Sequence, residues 1–223
     1  MQVGFLLFDR VTQLDLTGPL QVFSQAPGYE CHLIAPSADA RMSDGPLALV
    51  PTKTFKTAPA LDMICVPGGY GVAAAMGDEA LTGWLKHQAP SCRWITSVCT
   101  GAFILGAAGL LDGRKATTHW AYHDLLAGLG ATPVKQRVVF DDGVVTGGGV
   151  TAGIDFALEI LARESGEAVA QSIQLALEYD PSPRFSGSPD SAAPQVLSKL
   201  QAVVYDARRQ VMAEAVNRAA VSR

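Results

Sequence analysis

Short apolar segments alternate with segments of helical periodicity along residues 1–130. Runs of apolar and β-branched residues predict buried strands, and these runs cover residues 2–8, 29–35, 62–67 and 93–98. Between them, apolar residues recur at helical spacing over residues 18–25, 78–89, 100–110 and 120–129. Continuous apolar strands that alternate with helices are typical of a mostly parallel sheet covered on both faces. We therefore predict an α/β fold in the form of an open sandwich.

Two weaker segments predict local hairpins at the edge of the sheet. They cover residues 46–55 and 134–146, and Asp142 with Gly143 supplies the turn residues of the second. An Asp-Gly pair between apolar strands is a strong local hairpin signal because both turn positions need positive φ.

The remainder of the chain is predicted to be helical apart from one loop. Amphipathic spacing covers residues 151–164 and 167–179, a Pro/Ser-rich loop covers 180–194, and a final helix runs from about 195 to 220. The sequence contains no internal repeat and no linker long enough to divide domains. We therefore expect one domain over residues 1–223, with the last helix packed on it or on a second subunit.

Composition and charge exclude several classes of protein. The 223 residues include 17 basic and 21 acidic side chains, and 48% of all residues are hydrophobic. Extensive disorder is excluded, and a formal charge of −4 gives no electrostatic reason to bind nucleic acid or an anionic membrane. The N-terminal apolar run is short and reads as a first strand, and no segment is long enough to span a membrane. We expect a cytoplasmic protein that binds a small molecule.

Cys99 is the strongest candidate for a reactive side chain. The other cysteines, Cys31, Cys65 and Cys92, are expected to be structural, and the cysteine and histidine spacing predicts neither a disulfide framework nor a metal site. Cys99 follows a buried strand and precedes a helix rich in small residues, with Ser97 and Gly101 two positions away on either side. This pattern is typical of a nucleophile on a tight strand-to-helix turn. We expect the helix N-terminus to lower the pKa of the thiol.

Three further segments follow predicted strands, where an open parallel sheet places its ligand site. Asp15 and Thr17 follow the first strand, and Asp15 is predicted to be either a partly desolvated carboxyl or a helix cap. Gly69 lies in a glycine-rich loop after the third strand, and Gly148 lies in the Gly-Gly-Gly run after the second hairpin. Both glycines would allow a ligand to approach the backbone. The loop lacks the spacing of nucleotide-binding motifs.

Histidine could pair with the cysteine for acyl transfer or peptide hydrolysis. The residue after Cys99 is Thr100, so no imidazole is adjacent in sequence. His119 lies 20 residues further on and could pack near the cysteine. Two roles remain open for it: a structural one beside the site, and direct proton transfer.

Four motifs resemble one known family. The segments QLDLTGP, ICVPGG, SVCTGAFILGAAGLLDGRKATTHWAYH and VVTGGGVTAGIDFALE resemble the ThiJ/PfpI-type branch of the glutamine-amidotransferase-like proteins. Within that branch the chain is similar to the isocyanide hydratases, and the likeness continues into QLALEYDPSPRFSGSPDSAAP. AraC-type regulators share the cysteine and ATTHW motifs, but the segment after Asp180 is too short for their DNA-binding region. The resemblance implies a flavodoxin-like sandwich with a nucleophile elbow, and usually a homodimer.

The resemblance also implies roles for individual residues. Cys99 would be the nucleophile and Asp15 the acid/base, with Thr100 holding the acid or the water through its N–H and hydroxyl. Relatives that act as peptidases or chaperones commonly have His after the cysteine and Glu as the early acid, so Thr100 and Asp15 depart from them in the direction of the hydratases. The substrate would be an organic isocyanide, the product an N-substituted formamide, and no cofactor or metal would be required.

Other functions on the same fold remain open. A glyoxalase or deglycase would use Cys99 on an α-oxoaldehyde. A redox sensor or chaperone would use it as an oxidisable thiol without turnover. A small-molecule-binding regulatory module is disfavoured by the acidic balance and by the absence of a DNA-binding motif.

Overall fold

The computed structural model describes residues 1–222 and has a central sheet of seven strands. The strands are β1 (Gln2–Leu6), β2 (Glu30–Ala35), β3 (Arg41–Met42), β4 (Ala48–Leu49), β5 (Lys53–Thr54), β6 (Met63–Val66), β7 (Trp94–Val98), β8 (Lys115–Ala116), β9 (Thr132–Pro133), β10 (Val138–Asp141) and β11 (Val144–Gly147). The central sheet has the order β10-β11-β7-β6-β1-β2-β5. Only β10 runs antiparallel to its neighbour. The predicted mostly parallel α/β fold is confirmed.

Helices cover the sheet in two packed groups. They are α1 (Gln13–Phe23), α2 (Val72–Ala75), α3 (Glu79–Gln88), α4 (Gly101–Ala107), α5 (Ala152–Ser165), α6 (Glu167–Ala176), α7 (Pro194–Leu200) and α8 (Asp206–Ser222). Helix α5 packs against α1 and α6, whereas α4 packs against α2, α3 and α8. A 3₁₀ helix over Trp120–Leu129 packs against α4 and α8. The carboxyl ends of β1, β6 and β7 therefore lie among α1, α4 and α8.

The four long strands and the second hairpin agree with the sequence prediction. Strands β10 and β11 pair antiparallel around Asp142 and Gly143, as expected. The predicted hairpin over residues 46–55 is wrong. Within it, β4 pairs with the earlier strand β3, and β5 joins the central sheet parallel to β2. Strands of two residues carry too little pattern to specify a partner, so tertiary packing decides the pairing.

Helix α1 begins at Gln13, five residues before the predicted start at residue 18. Gly18 and Pro19, the first residues of the predicted segment, both lie buried inside the helix. A Cβ on Gly153 of α5 would lie 3.0 Å from the Pro19 ring, so the two helices are in close contact there. Packing against α5 therefore compensates for the proline. As a result, Asp15 lies in the first turn of a helix and not in a loop.

The C-terminal segment forms one long helix after the predicted loop. Helix α7 continues through a π-helical segment, Gln201–Tyr205, directly into α8. π-Helical turns are rare and often occur at functional sites. Among residues 1–222, no helix combines the length and the apolar character needed to cross a membrane.

Candidate active site

Cys99 occupies a strained turn between β7 and α4. Its φ angle is +55°, in the left-handed region that residues other than glycine rarely adopt. Hydrogen bonds hold the turn on both sides: the Cys99 N–H donates to the Gly147 carbonyl at 2.9 Å, and the Thr118 hydroxyl donates to the Cys99 carbonyl at 2.7 Å. A Cβ on Gly101 would collide with the Val66 carbonyl, which explains the small residue there. The surrounding structure thus fixes the conformation of the nucleophile elbow.

Asp15 is fully buried beside Cys99. The Gly68 N–H donates to its Oδ2 at 2.8 Å, whereas Oδ1 has no hydrogen-bond partner among residues 1–222. Burial raises the pKa of Asp15 to about 7, against the partial stabilisation of the carboxylate by Gly68 and Cys99. Of the two roles predicted for Asp15, the desolvated carboxyl is the one found. A carboxyl with this pKa can both accept and deliver a proton near neutral pH.

The pKa of the Cys99 thiol is raised well above its ordinary value, chiefly by burial and then by the Asp15 carboxylate. The expected lowering by the helix N-terminus is therefore wrong for the resting site. The backbone N–H and the hydroxyl of Thr100 do favour the thiolate, but they do not outweigh burial. Cys99 therefore rests as a thiol, and a thiol needs a neighbouring base to become a reactive thiolate.

Thr100 connects the cysteine to the glycine-rich loop. Its hydroxyl accepts a hydrogen bond from the Gly69 N–H at 3.1 Å, and its side chain is buried. Gly69 has φ +141° and a Cβ there would collide with the Arg10 carbonyl, so this loop position requires glycine. Thr100 and Gly69 therefore lie together at the elbow, as the sequence suggested.

Gly68 is part of the site, although it was not among the predicted site residues. A Cβ at this position would lie 2.6 Å from both the N and the Oγ1 of Thr100, and 2.7 Å from Asp15 Oδ2. Its N–H is the donor that holds Asp15. The two adjacent glycines after a buried strand were the signal that could have identified it.

We expect Gly68→Ala to unfold about 2–10 °C below the wild type, because a methyl group there overpacks the elbow by about 1–3 kcal/mol. The rate of Cys99 alkylation should change with it, since Asp15 and Thr100 must move. Gly83→Ala is the matched control, because a Cβ at Gly83 in α3 meets nothing within 4 Å. It should leave alkylation unchanged and raise stability slightly. Equal melting temperatures for wild type and Gly68→Ala would contradict the assignment.

A cavity of about 420 Å³ opens onto the elbow. Apolar and aromatic side chains form most of its wall. Its lining residues are Arg10, Thr12, Asp44, Gly69, Tyr70, Ala73, Cys99, Thr100, His119, Tyr122, Val150, Tyr205, Ala207, Arg208, Val211 and Met212. Tyr205 and the four residues after it in this set belong to the C-terminal helix. The sequence predicted that this helix has an apolar packing face, but not that the helix lies over the site.

His119 lies in the cavity wall as a neutral ring. Burial lowers its pKa to about 4, and its Nδ1 accepts a hydrogen bond from the Ala121 N–H at 3.3 Å. The ring packs against Trp120, Tyr122 and Tyr205 at centroid distances of 5.2–5.9 Å. A histidine with this pKa is uncharged near neutral pH. The geometry favours the structural role for His119.

Two predicted site residues lie away from the cavity. The Thr17 hydroxyl donates to the Gln13 side chain on its own helix at 2.9 Å. The Gly148 N–H donates to the Arg137 carbonyl at 2.9 Å, and a Cβ on Gly148 would lie 3.4 Å from the Thr118 carbonyl. Neither residue lines the cavity. Gly148 can influence Cys99 through Thr118, whereas Thr17 makes no described contact with the site.

Within residues 1–222, no cluster of three or more His, Cys, Asp or Glu side chains could hold a metal ion.

A strained cysteine at the end of a central parallel strand, beside a buried carboxyl, defines an elbow-type cysteine protein of the flavodoxin-like class. The DJ-1/PfpI family model matches residues 1–163. The chain belongs to this family.

Two relatives cover nearly the whole chain. The isonitrile hydratase of Pseudomonas putida is 53% identical over 94% of this chain and 90% of its own length. The crystal structure of a ThiJ/PfpI family protein from Pseudomonas syringae superposes with a TM-score of 0.92, at 40% identity over 98% of this chain and 90% of that one. Schizosaccharomyces pombe DJ-1 shares the fold with a TM-score of 0.70 at 18% identity, and it covers 81% of this chain although its own length is fully matched.

Proposed function

We propose that this protein is an isocyanide hydratase, which converts an organic isocyanide and water into the N-substituted formamide. The observation that carries the proposal is its 53% identity, over nearly the full length of both chains, to the isonitrile hydratase of Pseudomonas putida. The chemistry of the site supports it. The terminal carbon of an isocyanide accepts a nucleophile and a proton on the same atom. The Cys99 thiol lines the cavity, and the buried Asp15 carboxyl, whose pKa is about 7, lies behind it.

The first step is addition of the Cys99 thiol to the terminal carbon. The Asp15 carboxylate accepts the thiol proton as the sulfur attacks, and it then delivers that proton to the same carbon. A C–S bond and a C–H bond form, giving the thioimidate R–N=CH–S–Cys99. Nothing is oxidised or reduced. The raised pKa of Asp15 suits both halves of this transfer, because a carboxyl near neutrality gives up and takes up protons with little cost.

The second step is hydrolysis of the thioimidate. Asp15 accepts a proton from a water molecule whose oxygen adds to the imidate carbon, and the nitrogen gains a proton. The C–S bond then breaks, the thiol regains its proton, and the formamide R–NH–CHO leaves. Thr100 supports both steps, since its N–H and hydroxyl favour negative charge on the Cys99 sulfur, both when it attacks and when it leaves. Two moderate barriers replace one high barrier.

The direct test is to incubate the wild type with a simple aryl isocyanide. Infrared spectroscopy should show loss of the N≡C stretch, and NMR should show the formyl proton of the formamide. Methylglyoxal, offered in a parallel reaction, should be left unchanged. If the isocyanide persists while methylglyoxal is consumed, the protein is a glyoxalase and the proposal fails.

We expect kcat/KM for isocyanide hydration to fall as the pH drops below about 7. The reactive form of the Cys99 and Asp15 pair carries one proton between the two groups. Because the pKa of Asp15 is raised to about 7, a second proton binds below that pH and removes the base. The decline should approach tenfold per pH unit. A profile from pH 5 to 9, with melting curves at each pH, measures it, and a flat profile between pH 5 and 8 would contradict the role of Asp15.

We also propose a homodimer located in the cytoplasm. Exposed apolar side chains such as Leu175, Phe185 and Val196 supply surface that a second subunit could cover. The four cysteines are free, which suits a reducing compartment. Sedimentation equilibrium measures the assembly, and a monomer at micromolar concentration would contradict the dimer.

A further inference from the structure

Two arginines face the cavity on a single tyrosine ring. The guanidinium carbon of Arg208, on α8, lies 3.7 Å from the centroid of the Tyr70 ring, and that of Arg10 lies 5.6 Å from it. All three side chains line the cavity that contains Cys99. We propose that the cavity selects isocyanides whose organic group carries a carboxylate, and that Arg208 binds this carboxylate. The inference rests on the proposed function and names the substrate class of the same site.

Neither arginine has a counter-ion among the residues that the structure describes. The salt bridges within residues 1–222 include neither Arg10 nor Arg208, and the buried Nη1 of Arg208 has no hydrogen-bond partner there. The Tyr70 ring attracts both cations, but a buried N–H donor without a partner is costly. An anion in the cavity would supply the missing hydrogen bond and a counter-charge.

One acidic residue, Asp44, also lines the cavity, in a loop whose backbone is hydrogen-bonded to that of Arg10 and Val11. Its carboxylate accepts a hydrogen bond from the Thr12 hydroxyl. Its charge raises the pKa of Asp15, so the two carboxyls are close enough to interact. Arg208 approaches from α8 instead. Asp44 is therefore engaged by Thr12, and Arg208 is a cavity cation that has no described carboxylate partner.

The shape of the wall fits a substrate with an apolar middle. Tyr205 is close enough for its pKa to respond to both Cys99 and Arg208, and with Tyr122 it forms an aromatic surface. An aryl group on this surface could place its isocyano carbon at Cys99 and its carboxylate at the arginines. The planar guanidinium can bind both carboxylate oxygens at once.

The test compares 4-isocyanobenzoate with its methyl ester, in which one methyl group replaces the negative charge at the far end. We expect the ratio of kcat/KM, acid over ester, to fall about 10- to 100-fold in Arg208→Gln, mainly through KM, because a charge-assisted hydrogen bond is lost. Arg163→Gln is the matched control, since Arg163 also stacks on a ring, Phe140, but lies outside the cavity. Its ratio should equal that of the wild type.

An unchanged ratio in Arg208→Gln overturns the proposal. If kcat/KM falls equally for the acid and the ester, the ratio is also unchanged, and Arg208 then has a structural role. Binding of the product 4-formamidobenzoate, measured by calorimetry, does not depend on turnover. The wild type should bind it at least tenfold more tightly than Arg208→Gln does. If no formamide forms from either substrate, the proposed function fails, and the calorimetric comparison still decides whether the carboxylate site exists.

Discussion

Cys99→Ala is expected to abolish formamide release from an aryl isocyanide, with a loss of at least about 10⁴-fold in kcat. The substitution removes the atom that forms the proposed covalent intermediate, and no other described cysteine lines the cavity. During turnover, acid-quenched wild type should contain a species heavier by the mass of the intact isocyanide. Intact-protein mass spectrometry should find this species in the wild type and not in the variant.

The matched control for this experiment is Cys31→Ala. Cys31 lies in β2, is partly buried, and has a thiol pKa raised to about 11 by burial, but it does not reach the cavity. Its loss should cost some stability and leave kcat unchanged. Alanine at position 99 keeps a Cβ on the strained turn, so Cys99→Ala should fold as the wild type does. Turnover above a few per cent in folded Cys99→Ala would exclude the covalent mechanism.

Asp15→Asn should lower kcat by about 10²- to 10⁴-fold, because the amide can neither accept the thiol proton nor deliver it to carbon. The shape of the side chain is kept, and the Gly68 N–H can still donate to the amide oxygen. Stopped-flow infrared spectroscopy of the N≡C stretch measures the rate of the reaction. Asp39→Asn, an exposed carboxyl paired with Ser37, is the control and should turn over normally. An active Asp15→Asn would require a different acid/base.

The same substitution should stabilise the fold, increasingly so as the pH rises. The folded-state pKa of Asp15 is raised to about 7 from an ordinary value of 3.8, so the fold favours the protonated carboxyl. The protonated carboxyl therefore adds about 4 kcal/mol to the free energy of unfolding. This stabilisation is fully present below pH 3.8 and is lost as the pH rises through 7. Asparagine carries no charge and escapes the loss. Melting curves should therefore show a gap in favour of Asp15→Asn that is larger at pH 8 than at pH 5, and the reverse order would contradict the burial argument.

The sequence was most informative where a local pattern has one structural solution. Apolar runs specify buried strands, and Ser97, Cys99 and Gly101 specify a crowded turn whatever packs around it. Prediction was wrong where packing overrides local preference. The helix predicted from residue 18 begins at Gln13, so Pro19 lies inside α1, where it packs against Gly153. The strands around residues 46–55 found partners outside the predicted hairpin.

In the candidate site, too, some features could be predicted from the sequence and others depended on packing. Asp15, Thr100 and Gly69 follow strands whose ends must meet, so their assembly could be expected from topology. The pKa of Cys99 could not, because it depends on how completely the thiol is buried and on the carboxylate beside it. Tyr205 and Arg208 could not be placed either. Helical periodicity shows that a face is apolar but not which surface it covers.

The wall formed by α8 lies beyond residue 163, the last residue matched by the family model. The proposed nucleophile and the α8 side of its cavity are therefore encoded in separate stretches of the gene. Natural variation in the final forty residues can change which molecules are accepted while the elbow stays intact. Exchanging this tail between homologues is accordingly the most economical way to engineer new selectivity into the scaffold.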